Sequence, residues 1–383
     1  WGIMTNFTLL AVPLFVFMGV ILEKSGLAEQ LLETMGQLFG RIRGGLAISV
    51  VIVGALLAAT TGVVGASVVT MAVIALPVML KNGYAPSLAG GTIATSGTLG
   101  QIIPPSIILI LLGDVIGVPV GQLFIGAAIP GLMLVVAYIA YIAFIAWKKP
   151  ELAPAITIAP ENTGKLASKV FKSLLPPLAL IIAVLGSIFF GIASPTESAA
   201  VGALGAILLA ALHKKLNLDN LNKAMQQTTR LTSMVFLILI GATAFGLVFV
   251  GMGGDNLIFD IFSSLPGGKW SFLILSMVLI FVLGFFLDFI EICFIVVPII
   301  SPIAIHMGLD PLWFALLIAL NLQTSFLTPP FGFSLFYLKA SAPNLKLQDI
   351  YKGVVPFIII QITVLALIIV FPSITLWLPS LME

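Results

Sequence analysis

The stretch TSGTLGQIIPPS, Thr95 to Ser106, places two glycines, a run of hydroxyls and a proline pair in the middle of a long apolar region. Far downstream a second stretch, LQTSFLTPPFG, Leu322 to Gly332, repeats the hydroxyls and the proline pair, with one glycine at its end. Proline lacks an amide donor and disfavours helical geometry in the residue before it. The first helix is therefore expected to stop before Pro104, freeing the carbonyls of Gly97 to Ile103 from their helical partners. Beyond each pair a new half-helix is expected to begin, its free amides and positive dipole end open to an anion.

The surroundings of both stretches read as membrane. The chain of 383 residues is 60% hydrophobic and 8% charged, with a mean hydropathy of +1.22, more apolar surface than a soluble domain of this size can hide. The expected class is an all-α polytopic membrane protein. A net charge of +2 carries no signal for nucleic acid, and none is expected as a partner. One cysteine, Cys293, excludes an internal disulfide framework, and the widely separated His213 and His306 form no paired metal motif. No nucleophile–histidine–acid set, phosphate-cradling lysine loop or organic-cofactor motif is present, so no enzymatic activity is expected. The sequence opens at Trp1 and runs straight into an apolar segment; an upstream piece is expected to be missing or to belong to a preceding fused segment.

Most apolar stretches suit one crossing of about 20 residues. Two do not: 46–80 and 271–305, at about 35 residues each, are too long for one span and too short for two. Each has a small or polar break at its centre, AATTGVVGASVVT at Ala58–Thr70 and GFFLDFIEICF at Gly284–Phe294. Half of such a stretch makes a helix of about 25 Å at 1.5 Å per residue. That suits a re-entrant helical hairpin whose tip stops near mid-membrane, against protein or a water-filled cavity. The basic residues agree. With 148–173 in the cytoplasm and both long stretches re-entrant, sixteen of the seventeen Lys and Arg fall inside and only Lys269 outside. The first hairpin then enters from the cytoplasm and the second from outside.

The two halves also match in sequence. Gly83 and Pro86 recur as Gly308 and Pro311, and in each half the proline pair begins 21 residues after that glycine, at Pro104 and Pro329. Pro77 and Pro298 lie near the ends of the hairpins, and Phe124, Gly126 and Pro130 resemble Tyr351, Gly353 and Pro356. The expected fold is an inverted-topology repeat with two re-entrant hairpins and two broken transmembrane helices, an architecture of secondary transporters. Residues 1–45 are expected to form a framework span and an amphipathic arm, and 46–122 the first half of a transport domain (hairpin 46–80, broken helix 88–112). Framework spans, cytoplasmic loops and a second arm are expected over 123–270. The second transport half is expected at 271–346 (hairpin 271–305, broken helix 313–338), and a C-terminal span at 347–383. The arms are the amphipathic stretches 25–43, with Leu27, Leu31, Met35, Leu38 and Ile42 apolar, and 253–269, with Leu257, Ile258, Ile261, Phe262 and Leu265 apolar. The polar stretch 213–230 is expected to be a cytoplasmic helix, and SPTESAA, Ser194–Ala200, an ordinary helix start.

Freed carbonyls and nearby hydroxyls are hard oxygen ligands suited to Na⁺. One cation site is expected where Thr61, Gly65 and Ser67 of the first tip face Thr95, Gly97 and Gly100. A second is expected where Asp288 and Glu291 face Thr324, Ser325 and Thr328. An uncompensated charge within the membrane is costly, which singles out Asp288 and Glu291; the alternative is a carboxylate facing water or bonded to backbone. Substrate is expected against Ser67, Thr98, Pro105, Ser106, Thr328 and Pro330. No Lys or Arg lies in either hairpin or broken helix, so two or more Na⁺ ions and the helix N-termini are expected to neutralise an anionic substrate. A site organised only when the ions are present couples the two.

Several motifs together carry a family resemblance over nearly the whole chain: AVPLFVFMG at 11–19, TGVVGASVVTMAVIALPVMLKNGY at 61–84, GTLGQIIPPS at 97–106, SPTESAA at 194–200 and NLQTSFLTPPFG at 321–332. The chain resembles the large membrane (DctM-type) subunit of tripartite ATP-independent periplasmic (TRAP) transporters. GFFLDFIEICFIVVPIISPI is similar to the branch with an acidic second hairpin. The resemblance implies an elevator-type, Na⁺-driven importer of small organic acids in the bacterial inner membrane; the C-terminus is predicted to be periplasmic, on the topology that the basic residues support. The resemblance further implies a small four-helix (DctQ-type) membrane partner, separate or fused, and a periplasmic binding protein that delivers substrate. It also implies a cation at each hairpin tip. Three rival readings stand beside it. A stand-alone Na⁺/dicarboxylate symporter would need no binding protein. A proton-translocating subunit would use Asp288 and Glu291 as relay groups, but wants buried lysines or a chain of acids that this sequence lacks. A passive channel would show no uphill flux.

Overall fold

The computed structural model describes residues 6–62, 64–156, 163–264 and 266–381, with the side chains of Thr60, Thr61, 163–168 and Ser263 left outside the description. Among the described residues the protein is helical and has no strand. In chain order the helices are α1 (Ala11–Lys24), α2 (Leu27–Phe39), α3 (Gly45–Thr61), α4 (Val64–Lys81), α5 (Pro86–Thr98), α6 (Ile107–Ile116), α7 (Val120–Lys148), α8 (Thr163–Phe189), α9 (Pro195–Leu212), α10 (Leu218–Gly251), α11 (Gly254–Ser263), α12 (Lys269–Leu283), α13 (Phe289–Glu291), α14 (Val297–His306), α15 (Pro311–Leu327), α16 (Phe333–Ser341), α17 (Leu347–Val370) and α18 (Ser373–Leu376). Seven of the described helices are long and apolar enough to cross a membrane, or eight if the segment Thr8–Phe39, bent by 58° between α1 and α2, counts as one span.

Both long apolar stretches double back. The helix α3 ends at Gly62, whose φ of 59° lies in the left-handed region that favours glycine. The far ends of α3 and α4 then meet. The Leu46 amide donates to Tyr84 Oη at 3.2 Å, and the amides of Gly44 and Ala85 donate to the adjacent carbonyls of Ala153 and Leu152. In the second half, α11 touches both ends of 271–305. Phe262 meets Phe272 at the start of α12, with ring centroids 4.9 Å apart, and Phe259 meets His306 at the end of α14, 5.1 Å apart. The return limb of this second hairpin is irregular: α13 passes through a π-helical turn, Ile292–Val296, into α14. Such turns recur at functional sites.

The two repeats interlock. Each hairpin packs on the first half of its own repeat's broken helix, α3 and α4 on α5, and α12 and α14 on α15. Each also grips the second half from the other repeat, α4 on α16 and α14 on α6. The last long helices cross over too. The helix α17 packs chiefly on α5, where a Cβ on Gly353 would run into the backbone of Ser87, and one on Gly91 into the backbone of Gly353. Small residues at such crossings let backbones approach closely. The helix α7 packs on α15, α6 and α17, and Gln361 Nε2 donates to Tyr138 Oη between α17 and α7 at 2.9 Å. Outside this core, α1 packs on α9 and α10, α8 on α9, and α2 on α8.

Three local expectations change in detail. The stretch 213–230 is not a separate helix. From Leu218 onward it is continuous with the following apolar segment in one 34-residue helix, α10, because no Gly or Pro interrupts the run before Gly241. In the first arm Leu27, Leu31 and Met35 are buried, but Leu38 and Ile42 are exposed. In the second arm Phe262 is buried while Leu257 and Ile261 are exposed, and Leu265 lies outside the described residues. The SPTESAA segment forms a capping box. The Glu197 amide donates to Ser194 Oγ, and the Ser194 amide donates to Glu197 Oε2 at 2.7 Å.

Candidate functional site

The first break comes where the prolines put it. The helix α5 ends at Thr98, a single 3₁₀ turn covers Leu99–Gln101, and α6 begins at Ile107. In the second half α15 ends at Leu327 and α16 begins at Phe333. Both Pro–Pro peptide bonds, Pro104–Pro105 and Pro329–Pro330, are cis. Some of the carbonyls expected to be free are taken: Leu99 O accepts from the amides of Ile102 and Ile103, and Gln101 O accepts from Ser106 Oγ at 2.8 Å. Neither α6 nor α16 has a side-chain N-cap, so neither first turn has its amides capped by its own N-cap residue.

Glycines bring each tip against its break. A Cβ on Gly97 would collide with Val68 of α4. One on Gly100 would lie 3.2 Å from Ala58 O, and one on Gly62 would lie 3.0 Å from Ile107 at the start of α6. In the second half Gly284 leaves room for Ser325 Oγ, and Phe289 stands 6.3 Å from Phe326. The first tip also meets the other repeat's half-helix: Gly65 sits beneath the phenol end of Tyr337 on α16, where a Cβ would lie 3.0 Å from Cζ.

The hydroxyls are oriented in a common way. Thr98 Oγ1 donates to Thr95 O at 2.8 Å, Thr324 Oγ1 to Leu320 O at 2.9 Å, Ser325 Oγ to Leu322 O at 2.9 Å, and Thr328 Oγ1 to Thr324 O at 2.7 Å. A hydroxyl that spends its proton on a carbonyl presents only lone pairs elsewhere, which is how an oxygen meets a cation. Ser67, Thr95, Thr98, Pro105 and Ser106 are buried, Thr328 is half-buried, and Pro330 is exposed with its carbonyl accepting from Tyr351 Oη at 3.0 Å. The first break is thus sealed and the second partly open. The side chain of Thr61 lies outside the description. Asp288 caps α13, accepting from the Phe289 amide at 2.8 Å. One oxygen of Glu291 is buried without a partner among the described residues. Lys339, in the last turn of α16, is occupied, its ammonium donating to the carbonyls of Pro343 and Leu345 at 2.7 Å.

Two residues next to the breaks escape a reading based on hydroxyls and acids. Gln101 and Gln323 are fully buried, and neither atom of either carboxamide has a hydrogen-bond partner among the described residues. Thr95 Oγ1 is likewise alone. Orphaned buried groups cost about 1–3 kcal/mol each. The signal was present in the sequence, as amides inside otherwise apolar helices.

Two helices broken at mid-length, lined with polar groups and held among apolar spans, define a class: the secondary transporters. The chain matches over residues 1–374 the family described as "Tripartite ATP-independent periplasmic transporter, DctM component", and it belongs to that family. It is therefore a transporter component of the inner membrane and not an enzyme. It is 31% identical over 381 residues to the sialic acid TRAP transporter large permease SiaM of Vibrio cholerae, covering 99% of this chain and 88% of the relative. It is 30% identical to the C4-dicarboxylate large permease DctM of Pseudomonas aeruginosa, covering 98% and 87%, and 31% identical to the ectoine large permease TeaC of Halomonas elongata, covering 98% and 86%. Among solved structures, the Alcanivorax borkumensis YdaH transporter shares the fold with a TM-score of 0.58 at 14% identity, over 97% of this chain and 85% of that one.

Proposed function

We propose that this chain carries out Na⁺-coupled import of a small organic acid across the bacterial inner membrane. It acts with a small four-helix membrane subunit and a periplasmic binding protein that delivers the substrate. The relatives' names, sialic acid and C4-dicarboxylate among them, favour a carboxylate. The observation that carries the coupling is the pairing of each hairpin tip with a helix break whose hydroxyls turn their lone pairs outward. One Na⁺ is held where Gly65 and Ser67 face Thr95, Gly97 and Gly100. A second is held by Asp288 and Glu291 with Thr324, Ser325 and Thr328. The carboxylate then takes its hydrogen bonds from the uncapped amides at the N-termini of α6 and α16, near Thr98, Ser106 and Thr328, whose hydroxyl protons are already given to carbonyls.

Both hairpins are re-entrant in this reading, and the moving body is the interlocked core. It includes α7 and α17, which pack on the broken helices, although α7 opens the region 123–270 where framework spans are expected. The framework is α1, α2 and α8 to α10, and the core rises and falls against it as an elevator. Uptake by proteoliposomes holding the permease with both partners, with and without an inward Na⁺ gradient, is the test. Accumulation above equilibrium should require Na⁺; a rate indifferent to Na⁺ would overturn the proposal.

A further inference from the structure

Gln101 and Gln323 hold the largest unmet polar demand next to the breaks. Each offers a donor and an acceptor, each is fully buried, and neither atom is satisfied by any described residue. They come from different repeats but to one region. The 3₁₀ turn that ends in Gln101 packs on α15, the helix that carries Gln323. The helix α7 spans both: Gly126 lies against Leu316, which is seven residues before Gln323 and so on the same face of α15, while Gly131 lies against Ile103 beside Gln101. In sequence each glutamine neighbours an expected cation ligand, Gln101 following Gly100 and Gln323 preceding Thr324. An amide oxygen is a hard ligand of the same kind as the freed carbonyls.

We infer that Gln101 and Gln323 are cation ligands of the transport site, their Oε1 atoms completing coordination shells that hydroxyls and main-chain carbonyls begin. This rests on the Na⁺-coupled reading and adds two ligands to it. It also gives the amide nitrogens a use. An Oε1 fixed on a cation leaves Nε2 as a donor beside it, where the substrate carboxylate pairs with that cation. Neutral amides can thus serve an anion where the Lys residues of these helices, Lys81, Lys269 and Lys339, stand at or near the helix ends remote from the tips and breaks.

The test needs no substrate. The purified permease with its small subunit is titrated with NaCl, ionic strength held with choline chloride, and thermal unfolding is followed. Gln101→Met and Gln323→Met keep the length and remove the amide; Gln101→Glu and Gln323→Glu keep an oxygen and remove the N–H. The Met variants should raise the half-stabilising Na⁺ concentration by about tenfold or more, and the Glu variants should stay within about threefold of the parent. Met variants that titrate like the parent, or Met and Glu variants that shift alike, overturn the assignment, because a structural or water-filled role does not distinguish an oxygen from a methylthio group in this way. A parent without Na⁺ stabilisation overturns it as well. If the parent responds and the Met variants match it, the coupled reading stands and only these two ligands fall.

Discussion

Gly65 of the first hairpin tip lies beneath the phenol end of Tyr337 on the half-helix α16, so closely that a Cβ there would sit 3.0–3.2 Å from three ring atoms. This contact joins one repeat's tip to the other repeat's break. A methyl asks the half-exposed ring to give only a few tenths of an ångström, whereas a branched side chain displaces it. Gly65→Ala should keep most uptake, and Gly65→Val should lose about tenfold or more in maximal rate while the protein still folds. Pairing Gly65→Val with Tyr337→Ala should recover part of the loss. Uptake kinetics of the three variants decide it; equal activity of Val and Ala variants would show that the contact does not matter.

Asp288 has a structural duty and a proposed chemical one. Its carboxylate accepts from the Phe289 amide, which asparagine can also do. Asp288→Asn should therefore spare stability and raise the Na⁺ concentration for half-maximal uptake about tenfold, worth about 1.4 kcal/mol. Asp288→Ala should show that loss together with about 0.5–2 kcal/mol of lost cap stability. Matched Na⁺ titrations and thermal melts separate the two roles, and an Asp288→Asn variant with unaltered Na⁺ dependence would make the residue a cap alone.

The main breaks were legible in the sequence because their causes are local. Pro104, Pro105, Pro329 and Pro330 stop helices by steric rule, and the small residues at Ala58–Thr70 leave a turn little alternative. The partnership between repeats was not legible. That α4 meets α16 and α14 meets α6 depends on packing between residues far apart in the chain, and no periodicity encodes it. The unmet demand of Gln101 and Gln323 is not legible in the sequence for a different reason: an amide in an apolar stretch shows its cost only once burial and missing partners are known.

Thr98 tests the orientation of the hydroxyls. Its Oγ1 donates to Thr95 O, leaving lone pairs for a ligand, and serine can repeat that bond where alanine cannot. Thr98→Ser should retain Na⁺-driven uptake within about twofold and Thr98→Ala should weaken it by about three- to tenfold, in line with the loss of one hydrogen-bonded oxygen. If Ala and Ser variants behave alike, the hydroxyl has no part in the site.

The proposed division into a moving core and a fixed framework predicts which crosslinks arrest transport. Glu23 on α1 accepts from Thr70 on α4 at 2.8 Å, a contact between framework and core. Tyr138 on α7 and Gln361 on α17 are joined at 2.9 Å, a contact within the core. In a background carrying Cys293→Ala, which removes the chain's one native thiol, cysteines at 23 and 70 joined by a short thiol crosslinker should abolish uptake until the link is cleaved. Cysteines at 138 and 361 joined in the same way should leave uptake near that of the unlinked pair, because those helices travel together. Arrest by the 138–361 link and free transport across the 23–70 link would reverse the assignment, placing the sliding seam between α7 and α17 instead of along α1.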